Sequence, residues 1–573
     1  MRKSIATVSV SGTLTEKLAA IAAAGFDGVE IFENDLLACP LPPEEIRLRA
    51  ADLGLTIDLY QPLRDFEAMP VPDLRRAERK FQVMERLGAD MLLVCSNVSP
   101  DAVDDDELAA AQLRLLAERA AAHGIRVAYE ALAWGRHVNE YLHAWRIVRL
   151  AGHPNLGVCL DSFHILSRGS DPIGIEAIPG EKIFFLQLAD APPLAMDVLQ
   201  WSRHYRCFPG QGGFDVAGLT GHALNAGYTG PLSLEVFNDH FRQADAGRTS
   251  RDGMRSLIAL EQALDGSAHP AAPTGFAFAE LAASGAVVEV LAALGFARTG
   301  RHPTKPVELW EQGGARLLLN ATGGDPALLA IGLDTPDPAK AAGHAQALLA
   351  PVLPRERERQ EAALDAVAAP DGTQIFFCDA TWLGDFSPAG PVAGEITRID
   401  HVALTQPWHH FDEAALFYRG VLGLRAQESL EVADPYGLLR SKAMSAPGGA
   451  VRMVLNLAQV GTGDIARQHV ALACRDVLAV ARRLRARRPD LLLPIPGNYY
   501  DDLSARYDAD PALRELRELG VLYDRDEHGE FLHLYTVTLG RVFFEIVQRT
   551  GGYQGYGAVN APIRLAVQRA GGH

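Results

Sequence analysis

Eight short apolar runs divide residues 4–238: "SIATVSV", "GVEIFE", "TIDLYQ", "MLLVCSN", "RVAYEAL", "LGVCLDSFH", "IFFLQLAD" and "LSLEVFND". An Ala/Leu-rich stretch with helical character separates each run from the next, and Gly25, Gly54, Gly88, Gly124, Gly152 and Gly227 fall between helical stretch and following run. Those are the positions where a helix ends best in the left-handed conformation. Eight strands alternating with helices over about 265 residues are satisfied by a closed (β/α)8 barrel, so the fold class is α/β.

Barrel chemistry is placed at the C-terminal ends of the strands. There the fifth run carries Glu130, the sixth Asp161 followed by His164, the seventh Gln187 and Asp190, and the eighth Glu235 with Asn238 and Asp239. A carboxylate or amide in an apolar strand needs a counter-charge or full hydrogen bonding, because uncompensated burial costs several kcal/mol. One divalent cation satisfies several such groups at once. Three carboxylates and an amide oxygen form a hard donor set, which favours Mg, Mn or Co over a metal that seeks thiolates. Taken singly, each residue reads better as an ordinary ion-pair partner or a strand-end cap; it is the set of four on successive strands that points to a metal.

The remaining 300 or so residues, about two domains' worth, lie beyond one core. The segment "DGSAHPAAPTG" lacks periodicity and carries small residues and prolines. It reads as a linker, giving a barrel over 1–265, a linker over 266–274, and two halves of a second domain over 275–390 and 391–573. Those halves repeat one another: "GFAFAELA" and "TQIFFCD" in the first are echoed by "RIDHVAL" and "RVFFEIVQR" in the second. Each copy reads strand, helix, several strands, which suggests paired βαβββ modules and an α+β second domain. Aligning the copies sets Phe278, Ala330 and Cys378 opposite His401, His469 and Glu545. Two histidines and a carboxylate in apolar strands are the ingredients of a facial triad with open positions, as in non-haem Fe(II) sites.

Composition excludes several classes. A formal charge of −17, without a long Lys/Arg run, argues against nucleic acid as a partner. No apolar run approaches the length of a membrane span, and the opening "MRKSIATVSVSGTLTEK" is too soon interrupted to act as a secretion signal, so a cytoplasmic location is expected. Six cysteines without CxxC spacing point to reduced thiols rather than disulfides or structural zinc. A small anionic substrate is compatible with the charge, since one or two arginines suffice to bind a carboxylate.

The strand-end motifs "YEALAWGRHVN", "CLDSFH", "FLQLAD" and "LSLEVFND" resemble those of the xylose-isomerase-like barrels, and more closely the bacterial 3-dehydroshikimate dehydratases of the two-domain kind. The resemblance covers nearly the whole chain. It implies a metal held by Glu130, Asp161, Gln187 and Glu235, and metal-dependent loss of water from 3-dehydroshikimate to give protocatechuate, in quinate/shikimate catabolism. Chelation of a ketone and its neighbouring hydroxyl would stabilise an enolate before β-elimination. His164, three residues after Asp161, is the candidate general base, with donation to substrate or leaving group as its other role. For the substrate carboxylate, Arg206 in "RHYRCFPGQGGFD" is the preferred clamp, followed by Arg64 and Arg203; His137 and Asn139 are further substrate-binding candidates. The glycines of "PGQGG" mark a shaped loop suited to closing over a ligand. A homo-oligomer is expected.

From about residue 275 onward the chain resembles 4-hydroxyphenylpyruvate dioxygenase, of the vicinal-oxygen-chelate fold, on "DHVAL", "QHVAL", "FFEIVQR" and "GYGAVNAPIRLAVQ". This implies a second divalent metal, Fe(II) or Mg, on His401, His469 and Glu545. His533 in "FLHLYT" stands where that family has a substrate-binding glutamine. Two other readings stay open at this point: an oxidoreductase acting through the second domain, and a sugar or polyol isomerase or epimerase acting in the barrel.

Overall fold

The computed structural model describes residues 1–267, 271–321, 323–386, 390, 392–435, 437–457, 467–507 and 512–570. The chain forms two compact units, 1–268 and 269–573. Part of the expected linker, residues 268–270, lies outside the described residues.

In the first unit, strands β1 (Lys3–Ala6), β2 (Gly28–Phe32), β3 (Thr56–Leu63), β4 (Met91–Cys95), β5 (Arg126–Glu130), β6 (Leu156–Asp161), β7 (Ile183–Leu188) and β8 (Leu232–Leu234) close in chain order into a parallel barrel. Closure is made by β1 against β8, with Ser4 opposite Ser233. β4, β6 and β8 are buried along their whole length, which is why their sequences read as near-continuous apolar runs. Asp73, Asp105, Asp215 and Asp245 each cap a helix by accepting the backbone N–H three residues on. All six glycines expected at helix ends have positive φ, between 61° and 93°.

The second unit contains two eight-stranded sheets of identical order. The first runs β10-β11-β12-β9-β13-β16-β15-β14, with β9 (Gly275–Ala282), β10 (Ala297–Arg301), β11 (Val307–Gln312), β12 (Ala315–Asn320), β13 (Leu328–Asp334), β14 (Val352–Leu353), β15 (Ala366–Ala368) and β16 (Gln374–Cys378). The second repeats that order with β17 (Ile396–Gln406), β18 (Arg425–Asp434), β19 (Gly437–Ser445), β20 (Arg452–Leu457), β21 (Gln468–Cys474), β22 (Leu522–Arg525), β23 (Gly529–Tyr535) and β24 (Val542–Gly551). Each sheet is a pair of βαβββ modules.

Strand register corrects one part of the alignment between copies. Phe278 lies opposite Gly332 as His401 lies opposite Ala471, and Ala330 pairs with Glu280 as His469 pairs with Ala403. On the neighbouring strand, however, Gly332 faces Phe376 where Ala471 faces Glu545. Phe376, not Cys378, therefore stands in the place of Glu545. A slip of two residues keeps every side chain on the same face of a strand, so the apolar pattern alone did not reveal it.

All six cysteines are free thiols. Among the described residues no helix is long and apolar enough to cross a membrane.

Candidate functional site

The C-terminal strand ends of the barrel bring together a buried acidic cluster. Glu130 ends β5, Asp161 ends β6, Gln187 lies near the end of β7, and Glu235 follows β8; none is more than 5% exposed. Glu130, Asp161 and His164 offer ligand atoms all within 4.8 Å of one another. Beside them opens a cavity of about 260 Å³, lined by Glu130, His164, Arg206 and Glu235 together with Arg64 and Arg203.

Arg206 is drawn inward. Its Nη1 donates to Asp161 Oδ2 at 2.7 Å and Glu235 Oε2 at 3.1 Å, and its Nε and Nη2 donate to Ser202 Oγ at 3.1 and 2.9 Å. A guanidinium committed to two carboxylates and a hydroxyl, and 1% exposed, has no free fork for a substrate carboxylate. The expected clamp role is thus corrected: Arg206 is the internal counter-charge of the acidic cluster, and Arg64, Arg203 and Arg242 are the other arginines on the cavity wall. His137 and Asn139 are not on that wall. His137 Nε2 meets the carbonyl of Ala102, in the loop after β4, at 3.0 Å and so ties two loops together, while Asn139 Nδ2 donates to the Gly135 carbonyl of its own loop at 3.2 Å.

His164, the candidate base, lies in the same network. The Ala133 backbone N–H donates to its Nδ1 at 3.1 Å, and Arg206 Nη2, a donor only, stands 3.1 Å from its Nε2, so both ring nitrogens face N–H groups. Burial, opposed by Asp161 and reinforced by Arg206 and Arg64, holds the imidazole well down, to about 3. With an N–H aimed at each nitrogen, the ring is held neutral inside the cluster, its Nε2 3.7 Å from Glu130 Oε1.

Glu30, near the end of β2, was not singled out from sequence. It is fully buried and accepts from Ser233 Oγ, from Gln61 Nε2 at 2.8 Å and from Gln187 Nε2 at 2.6 Å. By engaging the Gln187 nitrogen it fixes which end of that amide is left as oxygen. Burial and then the nearby Glu235 push its carboxyl well up. The signal was present: a carboxylate inside "GVEIFE" is the same anomaly that flagged Glu130.

The residues fit a divalent cation. Burial, followed by Asp161 and Glu235, pushes Glu130 well above the carboxylate range, and its Oε1 is buried without a hydrogen-bond partner. Glu235 is raised to about 7, burial outweighing Arg206. The cluster carries more negative charge than one guanidinium neutralises, and its donors are hard oxygens.

Asp190 shapes the loop that follows. Its Oδ1 accepts from the N–H of Ala191 and Phe214, both at 2.8 Å, and its Oδ2 from Gly210 and Gly212, both at 3.0 Å. Gly212 is required there, since a Cβ would stand 2.3 Å from Asp190 Oδ1 and 2.5 Å from the Ala191 backbone. "PGQGG" is therefore a loop wrapped round one buried carboxylate.

In the second sheet of the second unit, His401 on β17, His469 on β21 and Glu545 on β24 converge. His401 Nε2 is 3.1 Å and His469 Nε2 3.2 Å from Glu545 Oε2, with 3.3 Å between the two nitrogens. His401 Nδ1 bonds Asp400 Oδ2 at 2.9 Å, so its Nε2 lone pair is turned toward the carboxylate oxygen, an arrangement that a cation satisfies. Burial lowers His469 to about 4. His533 is wholly buried: Asn560 Nδ2 stands 3.0 Å from its Nε2, and its Nδ1 donates to Glu545 Oε1 at 2.7 Å. It orients Glu545 and does not line the adjoining cavity of about 500 Å³, whose walls include Tyr535, Tyr553, Tyr556 and Arg564.

Fold and sites define a barrel with an acidic strand-end cluster, joined to a domain with a buried two-histidine, one-carboxylate set. The family model for xylose isomerase-like TIM barrels matches residues 18–260, and that of the glyoxalase/bleomycin resistance protein/dioxygenase superfamily matches residues 398–527. A solved structure described as a xylose isomerase-like TIM barrel/4-hydroxyphenylpyruvate dioxygenase fusion protein is 43% identical, covers 99% of each chain and has a TM-score of 0.90. The 3-dehydroshikimate dehydratases of Pseudomonas putida and Pseudomonas aeruginosa are each 46% identical over 99% of this chain and 98% of their own. The chain belongs to this family of two-domain 3-dehydroshikimate dehydratases.

Proposed function

We propose that the barrel removes water from 3-dehydroshikimate to give protocatechuate, with a divalent cation held by Glu130, Asp161, Gln187 and Glu235. The observation that carries this reading is the 46% identity over nearly the full length of two proteins named for that activity. The acidic cluster with its orphaned Glu130 oxygen supports the metal. When bound, a divalent cation supplies Lewis-acid polarisation of the substrate ketone.

The protein's own groups do the rest. Arg206 offsets part of the cluster's charge and fixes Asp161 and Glu235 in place. Arg64 and Arg203, on the cavity wall, take the substrate carboxylate. His164, on the cavity wall, takes the ring proton or donates to the departing hydroxyl, and Trp134 packs against its ring at 5.0 Å between centroids. The balance of the reaction is loss of one ring proton and one hydroxide, with aromatisation as the driving force. The partner is a small anion rather than nucleic acid or a membrane.

We further propose a second divalent ion, Fe(II) or Mg, on His401, His469 and Glu545, supported by the convergence of their ligand atoms. Purified protein incubated with 3-dehydroshikimate and a series of divalent metals tests the first reading. An ultraviolet-absorbing aromatic acid should accumulate, and Glu130→Ala should abolish it. Near-full activity in Glu130→Ala would refute the assignment; oxygen consumption with Fe(II) in place of aromatic product would favour the dioxygenase reading.

A further inference from the structure

The first sheet of the second unit, whose copy lost the metal-ligand pattern, has kept a cavity. Its volume is about 450 Å³, within the range of small-molecule sites, and it lies on the strands that correspond to those around His401 and Glu545. Phe278 and Phe376, in the places of His401 and Glu545, line it with their rings 5.8 Å apart, and Trp382 packs edge-on to Phe278 at 5.0 Å. Two metal ligands have thus been exchanged for an aromatic wall without filling the space.

Polar groups in this cavity lack partners. The N–H groups of Thr304 and Lys305 donate to His302 Nδ1 at 3.3 and 3.1 Å, so His302 carries its proton on Nε2. His302 is 4% exposed, and that Nε2–H has no hydrogen-bond partner; the nearest carboxylate oxygen, Glu361 Oε1, is 3.6 Å away. Asn320 gives its Nδ2 to Glu280 Oε1 at 2.6 Å, while its Oδ1 is buried and unpaired. Buried donors and acceptors left without partners cost about 1–3 kcal/mol each, so their persistence on one cavity points to a ligand or water that completes them. A donor and an acceptor on one wall match hydroxyl groups, which accept and donate. Lys305 and Arg355 add positive charge to a lining that also holds Glu280 and Asp385; Lys305 Nζ is paired with Glu361, and one Arg355 N–H is given to the Ala362 carbonyl at 2.9 Å.

We propose that this cavity binds a monocyclic aromatic carboxylate bearing hydroxyl groups, without a metal. The ring lies against Phe278, Phe376 and Trp382; the hydroxyls meet His302 and Asn320; the carboxylate faces Arg355. The inference rests on these residues alone and stands or falls separately from the barrel chemistry.

The test is calorimetric titration of the full-length, chelator-treated protein with 3,4-dihydroxybenzoate, catechol and benzoate. His302→Leu should weaken the 3,4-dihydroxybenzoate event about tenfold, the effect of one charge-neutral buried donor, and leave benzoate unaffected. Arg355→Ala, at a half-buried position where folding is not at risk, should weaken 3,4-dihydroxybenzoate and benzoate but not catechol. Any binding in the barrel or beside His401 is insensitive to both substitutions. The proposal is overturned if metal-free protein shows no binding, or if both variants, folded as judged by circular dichroism, bind all three probes as the wild type does; water alone would then complete His302.

Discussion

Replacing Asp190 by asparagine changes one atom at a position where four backbone N–H groups converge. The carboxylate gives each oxygen two of them: Ala191 and Phe214 to Oδ1, Gly210 and Gly212 to Oδ2. An asparagine amide retains one acceptor oxygen and turns an NH2 toward the other two donors. Two hydrogen bonds to a charged acceptor are lost at about 1.5–3 kcal/mol each, so the expected loss is about 3–6 kcal/mol in a fully buried setting. For a domain of this size, 3 kcal/mol corresponds to a fall in Tm of about 6 to 12 °C. The damage falls on the active-site side of the loop. Asp190 and Cys207 exchange both backbone hydrogen bonds at 2.8 Å, and Cys207 follows Arg206, whose guanidinium neutralises Asp161 and Glu235. Differential scanning fluorimetry and kcat/KM on 3-dehydroshikimate together should show a lowered barrel transition and at least a tenfold loss of turnover. Gly212→Ala should give the same pair of effects, because its Cβ collides with the same carboxylate. An Asp190→Asn protein with Tm within 1 °C of wild type and kcat/KM within twofold would refute the idea that this carboxylate organises the loop.

Other perturbations separate the sites. His401→Ala removes a proposed ligand from the second unit and should leave dehydration within about twofold while lowering metal content by one ion per chain, measured by elemental analysis. Glu30→Gln turns an amide nitrogen toward Gln187 or Gln61 and should weaken the barrel's affinity for metal roughly 10- to 100-fold, read from metal-dependent activity. Glu67 is raised to about 7, chiefly by burial, against hydrogen bonds from the Asn97 N–H and Tyr129 Oη. Because the native state then holds a proton that the unfolded chain has released, stability falls as pH rises from about 4.5 to 7. Chemical denaturation of Glu67→Gln across that window should show a shallower fall than the wild type, by up to about 3 kcal/mol.

The barrel was legible because strand and helix periods alternate eight times and the charged residues interrupt apolar runs at one end of each strand. Glu130, Asp161, Gln187 and Glu235 were found that way. What sequence did not reveal was direction. Nothing in "HYRCFPG" tells whether the Arg206 guanidinium turns toward solvent-borne substrate or toward Asp161, because that choice is made by partners 29 and 45 residues away in the chain. His164 shows the same limit: the N–H groups at its two ring nitrogens come from Ala133, 31 residues earlier, and from Arg206, 42 residues later. Phe376 was missed through periodicity itself, since residues two apart on a strand share a face and only the ladder tells them apart.

The two metal candidates place opposite demands on charge, and this difference decides what each tolerates. In the barrel, Glu30, Glu130, Asp161 and Glu235 are buried together with Arg206, and burial, with neighbouring carboxylates adding to it, pushes Glu30, Glu130 and Glu235 up. A cation there would be held chiefly by electrostatics, so neutralising one carboxylate would reduce the attraction in a low-dielectric setting where each charge counts heavily. Around Glu545 the balance runs the other way. One carboxylate meets three imidazoles, and the hydrogen bonds from His401, His469 and His533 hold it well below the usual range although burial opposes them. That site depends on lone-pair geometry, maintained by Asp400 behind His401 and by Asn560 behind His533. Removal of Asp400, which is itself fixed by Arg549 at 2.9 Å, should therefore disturb metal binding through ring orientation rather than through net charge. The barrel has no such orienting histidine pair, and its specificity for a metal rests on the number of oxygens it can offer.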